Sequence, residues 1–190
     1  MGAIITKKLT SMEEADLLDR VFSEQYRWYR PGEYFRNCLI ENISGSRITL
    51  IAYYEGQLAG CCHLLINSQY PFFRDHQIPE INDLNVFPEF RRKKIASAMF
   101  DELEIIAATS SRFIGLGVGL FKDYGHAQKM YTSRGYVMDG NGITYKNVPV
   151  EPGNSVMVDD DLLLLFDQRL RGQFVDLLEE VSTHGNIQAY

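Results

Sequence analysis

The stretch Ile81–Leu103, INDLNVFPEFRRKKIASAMFDEL, decides how this chain is read. Ile81 to Val86 has the composition of a short strand, Phe87-Pro88 turns the chain, Arg91 to Lys94 is an unbroken basic cluster, and an amphipathic helix follows. A strand that passes into a helix through a turn rich in backbone N–H groups and positive charge suits a phosphate: the first-turn donors point outward and the cations add to the helix dipole. Arg91-Arg92-Lys93-Lys94-Ile95-Ala96 starts the helix, and the small residues Ala96, Ser97 and Ala98 let it approach a sheet or a ligand closely. The combination suits a pyrophosphate with one apolar arm running back along the strand. On charge pattern alone, a solvated basic helix start explains it equally well.

Upstream, Ile4 and Ile5 begin a first strand, and Ser11 with Glu14, or Thr10 with Glu13, forms a capping box. Leu17, Leu18, Val21 and Phe22 share one face of a helix that should end near Tyr29, before Pro31-Gly32. A second short helix spans Glu33 to Glu41, with Tyr34 and Leu39 inward and a Ser44-Gly45 turn closing it. Tyr26, Trp28, Tyr29 and Arg30 sit at the break, either packing the helix pair onto a sheet or forming one wall of a substrate pocket. Arg47 to Tyr54 and Leu58 to Ile66, joined by Glu55-Gly56-Gln57, read as an antiparallel hairpin. Asn67 to Pro79 has no clean period, and a loop of that length is unusual unless it covers something.

Downstream, RFIGLGV from Arg112 to Val118 is a strand whose Gly115 and Gly117 mark a bulge or a close approach to the backbone. Tyr124 to Ser133 is a short helix ended by Arg134-Gly135. Tyr136 to Met138 is a brief strand, Asp139 to Gly142 a turn, and Ile143 to Lys146 the returning strand. Leu162 to Phe166 is a last apolar strand, and Leu170, Phe174, Leu177, Leu178 and Val181 recur at helical spacing. The order implies an α/β (α+β) fold with a largely antiparallel sheet and helices on both faces. It reads as one domain over residues 1–166 with a helical extension over 167–190, which either packs on its own sheet or forms a homodimer contact.

The bulk numbers narrow the function classes. With 45% hydrophobic and 23% charged residues the composition is that of an ordinary globular protein. A net charge of -6 argues against nucleic acid as a partner, since nothing outside the basic cluster offsets phosphate repulsion. No apolar run approaches the roughly 20 residues that span a bilayer, and MGAIITKKLT lacks the pattern of a signal peptide. Cys38, Cys61 and Cys62 have neither redox-pair nor metal spacing and read as buried thiols of a cytoplasmic protein. His63, His76, His126 and His184 also lack metal spacing, and among them only His76 lies where a substrate contact is expected. Asp159-Asp160-Asp161 reads as a solvated strand start rather than a metal site.

Two motifs together carry a resemblance. Asp83-Leu84-Asn85-Val86-Phe87-Pro88-Glu89-Phe90-Arg91 and its continuation resemble the central motif of GNAT N-acetyltransferases. That motif is a strand ending Leu-x-Val, then Arg or Gln, two residues, Gly, one residue, and Gly or Ala. Asp123-Tyr124-Gly125-His126-Ala127-Gln128-Lys129-Met130-Tyr131, followed by Arg134-Gly135-Tyr136, resembles the family's later helix. The resemblance implies acetyl-CoA as co-substrate, with no metal, held in a splay between the strands Ile81–Val86 and Arg112–Val118, and a small-molecule or peptide amine as acceptor. Leu84, Asn85 and Val86 would offer backbone groups to the pantetheine and acetyl carbonyl. The cluster Arg91, Arg92, Lys93, Lys94, Ile95, Ala96 and Ser97 would hold the pyrophosphate, and Tyr124 and Ala127 would lie along the pantetheine arm. Lys94 stands where the family has glycine and is expected to keep helical angles, while Tyr124 stands where many members carry asparagine. Tyr131 is the candidate acid for the leaving thiolate, since an unperturbed phenol is protonated at neutral pH. Glu80, ahead of Asp83, is the candidate base; the two lie on opposite faces if their strand is regular. A non-catalytic acyl-CoA-binding module is the alternative.

Overall fold

In the computed structural model, which describes residues 2–170, the chain forms two compact units: the residues up to Ile66 with Ile81–Leu103, and Asn67–Glu80 with the residues from Glu104 onward. The first contains β1 (Ile4–Lys8), α1 (Met12–Gln25), α2 (Tyr34–Ser44), β2 (Arg47–Tyr54), β3 (Gln57–Leu65), most of β4 (Glu80–Val86) and most of α4 (Ile95–Ala107). Its strands lie in the order β1-β2-β3-β4, with β1/β2 and β2/β3 antiparallel. Ser11 caps α1 by accepting from the Glu14 N–H at 3.3 Å, while the Glu14 carboxylate reaches back to the Thr10 N–H at 2.8 Å. The reciprocal bond therefore lands one residue earlier than a strict capping box would place it.

The helix α1 ends at Gln25 rather than near Tyr29, because Asp19 organises the break: it accepts from the Tyr29 hydroxyl at 2.5 Å and the Gly32 N–H at 3.1 Å. Tyr29 is buried against Phe22, whereas Trp28 stacks on Tyr26 and stays 65% exposed. The second helix is longer than expected and ends at the left-handed Gly45. Its inward residues are Phe35, Cys38 and Leu39; Tyr34, expected inward, is 38% exposed. Ile95, Met99, Phe100 and Leu103 of α4 are all buried, as one helical face should be. Cys61 and Cys62 are both fully buried, so both faces of β3 are covered.

One glycine fixes how β4 leaves β3. A Cβ at Gly60 would lie 2.1 Å from the Asn85 carbonyl oxygen and 3.0 Å from the Val86 Cα. Without a side chain the strands close up, and the Phe87 N–H donates to Ala59 O at 2.9 Å.

The second unit has the strand order β5 (Phe113–Gly119), β8 (Leu162–Arg169), β6 (Val137–Tyr145), β7 (Val148–Pro149), every pairing antiparallel. It also holds α3 (Pro71–Asp75) and α5 (Gly125–Arg134). The segment expected as a covering loop contains α3 and is packed: Tyr70, Phe73, Ile78 and Leu165 form an apolar cluster. The Phe73 ring occupies the space where Gly115 would carry a Cβ, 2.3 Å away. The approach expected at the glycine-interrupted strand is thus made by the chain's own phenylalanine.

Asp139 to Gly142 is not a hairpin turn. Strand β6 runs through it and pairs with β8 on either side, with a register shift between Met138 and Ile143. Gly140 and Gly142 have positive φ, and the Asp139 carboxylate accepts from the Asn141 N–H at 2.9 Å, so the extra residues close locally as a bulge. Strand β8 extends past Phe166 to Arg169. The helix expected from Leu170 to Val181 lies outside the described residues after Leu170.

Candidate active site

The turn after β4 is built from its own backbone. Pro88–Phe90 makes a single 3-10 turn, the Arg91 N–H donates to Pro88 O at 3.3 Å, and the Arg91 Nε–H returns to Val86 O at 3.2 Å. Arg92 (φ 62) and Lys94 (φ 65) are left-handed, while Lys93 between them is not. Alternation of this kind turns successive N–H groups toward one side and makes an anion-binding concavity. Lys94 therefore does not keep helical angles: the buried Ile95 anchors the start of α4, and the turn reaches it through left-handed residues. The position does call for glycine geometry, and lysine adopts it.

The cations divide by role. Arg91 is tied to Val86, and the Lys93 ammonium lies 4.4 Å from the Tyr54 ring centroid and 5.3 Å from that of Phe90. Tyr54, Glu55, Gln57, Glu89, Phe90 and Lys93 line an open hollow of about 230 Å³. Arg92 and Lys94 are exposed, Ala96 and Ser97 half-buried, so the concavity keeps two solvent-facing cations and small residues behind it. This arrangement fits a diphosphate. Leu84, Asn85 and Val86 are half-buried along the strand that leads into it.

Asp83 breaks the regularity of β4. Its φ of 48 is left-handed, so the alternation that would set Glu80 and Asp83 on opposite faces does not apply. Its exposed carboxylate accepts from the Tyr34 hydroxyl at 2.6 Å. The same hydroxyl lies 3.3 Å from His63 Nε2, and His63 Nδ1 lies 2.8 Å from Thr49 Oγ1. Burial holds the His63 imidazole down to about 4, against the opposing pull of the Asp83 charge, so it is neutral at pH 7. Burial first, and then the Asp83 charge, push the Tyr34 phenol well above its ordinary value. The sequence reading missed Tyr34 and His63 as polar partners. The available signal was a titratable residue, His63, inside the otherwise apolar run LAGCCHLL.

In the second unit, Glu80 is 5% exposed and accepts from the Ser68 hydroxyl, which in turn accepts the Tyr70 N–H at 2.9 Å. Tyr131 is buried on α5, its ring 6.3 Å from that of Tyr136. Tyr124 lies over Gly119, where a Cβ would come within 2.4 Å of its ring, and its hydroxyl donates to Asp160 at 2.8 Å. Ala127 is half-buried in the first turn of α5, and the neighbouring Gln128 amide donates to Gly119 O at 2.8 Å. His76 turns back on its own segment, Nδ1 2.8 Å from Phe72 O. Asp159 accepts from the Asp161 N–H at 3.0 Å in a local turn. Among the described residues, no group of three or more His, Cys, Asp or Glu is placed to hold a metal ion.

A family model, described as the acetyltransferase (GNAT) family, matches residues 12–136, a span from α1 to the end of α5. The chain belongs to the GNAT acetyltransferase family. Three solved structures share the GNAT fold with it. PaiA N-acetyltransferase from Thermoplasma acidophilum, in complex with coenzyme A, has a TM-score of 0.59 at 18% identity, covering 88% of this chain and 99% of that one. An aminoglycoside 6'-N-acetyltransferase complexed with coenzyme A has a TM-score of 0.62 at 15% identity, covering 89% and 98%. A spermidine N-acetyltransferase SpeG chimera from Vibrio cholerae and hSSAT has a TM-score of 0.60 at 12% identity, covering 87% and 95%. At these identities the likeness is one of fold. The search of curated proteins returns no match.

Proposed function

We propose that this GNAT protein moves an acetyl group from acetyl-CoA to a primary amine of a small molecule or peptide, by direct attack within a ternary complex. The observation that carries the reading is the left-handed alternation at Arg92 and Lys94, immediately before α4 and within the family match. Relatives of the same fold hold coenzyme A and include enzymes of aminoglycosides and spermidine, which supports both the cofactor and an amine acceptor. Three free, buried cysteines suit a reducing cytosol.

When bound, acetyl-CoA supplies the thioester carbonyl and the leaving thiolate. The N–H groups from Arg92 to Ser97 hold the pyrophosphate, with Arg92 and Lys94 adding charge. The backbone of Leu84 to Val86 orients the pantetheine, and Tyr124 and Ala127 border that arm. A base removes one proton from the acceptor ammonium so that the nitrogen lone pair can attack. Asp83, exposed and tied to Tyr34, suits this role better than the buried Glu80, which remains the other candidate. Tyr131 gives its phenolic proton to sulfur as the C–S bond breaks, and the second proton that the attacking nitrogen sheds as the amide forms restores the phenol. A non-catalytic acyl-CoA-binding module is the second reading, favoured by the packing of Tyr124 against Gly119 and its bond to Asp160.

Acetyl-CoA should raise the melting temperature of the wild type and of Tyr131→Phe equally, while turnover in the variant falls on the order of a hundredfold. Undiminished turnover in Tyr131→Phe removes it from the acid role; no thermal shift in either protein removes the cofactor site.

A further inference from the structure

The carboxylate of Asp83 ends a chain of polar groups that runs through the first unit. Thr49 on β2, His63 on β3 and Tyr34 in the first turn of α2 are linked in series to it, with Thr49 and His63 buried among apolar neighbours. We propose that Tyr34 and His63 are positioning residues for the acetyl transfer: they fix the Asp83 carboxylate through Oδ2 and leave Oδ1 to take the proton of the acceptor ammonium. This rests on Asp83 being the base.

The direction of the chain follows from donor counting. Tyr34 has one hydrogen and gives it to Asp83 at 2.6 Å, so its oxygen can only accept from His63 Nε2. His63 is then the Nε2–H tautomer, and its bare Nδ1 accepts from the Thr49 hydroxyl. Every donor points toward the carboxylate. Such a chain stabilises the anion but cannot carry a proton away from it, because Tyr34 and His63 each already hold the hydrogen they would have to receive. The proton taken from the ammonium therefore stays on Asp83 until solvent or product removes it.

The surroundings keep the chain in that state. Cys38 on α2 and Cys61 and Cys62 on β3 are the thiols within electrostatic reach of the cluster, and burial raises each, Cys38 to about 11, so all are neutral. Arg47 on β2 faces it too, but is paired with Glu41 on α2. Burial keeps His63 neutral and Tyr34 protonated, as the donor series requires. The left-handed backbone at Asp83 costs free energy, though aspartate tolerates it better than most L-residues, and a bond from outside the strand helps to hold it. Tyr34 supplies that bond from a different element.

Two measurements on the full chain test this. In protein labelled with nitrogen-15 histidine, NMR should show His63 as the neutral Nε2–H tautomer at pH 6; the Nδ1–H tautomer would overturn the proposal. Thiol release from acetyl-CoA is then followed with spermidine and with an aminoglycoside as acceptors. Tyr34→Phe keeps the ring that packs edge-on against Phe35 and removes only the hydroxyl. It should lower kcat about tenfold, the worth of a hydrogen bond to a charged group, with the KM for acetyl-CoA unchanged. In an Asp83→Asn background it should add nothing. Full activity in Asp83→Asn would sink the base assignment itself. A slow Asp83→Asn beside a fully active Tyr34→Phe would leave the base in place and overturn the positioning role. No amine-dependent release by the wild type with these acceptors or any of a wider panel of primary amines would overturn both.

Discussion

Lys94 is the residue at which the family pattern and this chain part. Its ammonium extends into solvent from a left-handed backbone that costs an L-residue about 1–2 kcal/mol. Glycine relieves that cost but gives up about 0.5–1 kcal/mol in the unfolded chain, so the net gain is about 0–1.5 kcal/mol. Lys94→Gly should raise the melting temperature by up to about 4 °C and change the KM for acetyl-CoA less than about threefold, if backbone N–H groups do the binding. Lys94→Val, β-branched and poorly suited to positive φ, should lower the melting temperature. A tenfold rise in KM for Lys94→Gly would show that the ammonium, not the loop, holds the phosphate.

Pairing of β3 with β4 depends on one absent side chain. Gly60→Ala drives a methyl into the Asn85 carbonyl, a backbone atom that cannot rotate away. The strand must shift, at about 1–3 kcal/mol, and Leu84 to Val86 shift with it. Urea unfolding should show the loss of stability, and acetyl-CoA should stabilise the variant less than the wild type. An unchanged midpoint would mean that β4 has slack at this point. His63 on β3 makes a second element-scale prediction. Its folded value of about 4 lies below the 6.5 of a free histidine, so between these values the unfolded chain binds a proton that the folded chain refuses. Stability from this group is full above pH 6.5 and falls as pH drops, by on the order of 3 kcal/mol at pH 4. The urea midpoint of His63→Gln, though lower at pH 7, should vary less with pH over that range than that of the wild type; an equal slope would refute the buried neutral imidazole.

The elements themselves were legible because local chemistry decides them: the Ser11 cap, the Gly45 stop and the hairpin turn at Glu55-Gly56 act within a few residues. What stayed hidden depends on partners distant in sequence. The break after Gln25 is set by Asp19 reaching forward to Tyr29 and Gly32, and the packing of residues 67–79 by Phe73 finding Gly115. Asp139 to Gly142 carries good turn residues, yet both flanks pair with β8, which only the fold reveals. At the candidate site, the basic turn was readable as a phosphate site from its charge and its step into a helix. The left-handed angles at Asp83, Arg92 and Lys94 were not, since none is glycine.

On the scale of the molecule, a chain with a net charge of -6 gathers four consecutive cations, Arg91 to Lys94, at one turn of its first unit. The same unit holds the exposed Asp83, and the second unit carries Tyr131 on α5. The basic turn suits a polyanionic cofactor and the carboxylate a cationic acceptor. The direct test is release of free thiol from acetyl-CoA across a panel of primary amines, with each amine omitted in turn as control. Amine-dependent release with at least one acceptor, matched by formation of its N-acetyl product, is expected. Binding of coenzyme A with no thiol released by any amine would contradict the assignment and leave a module that holds the cofactor without using it.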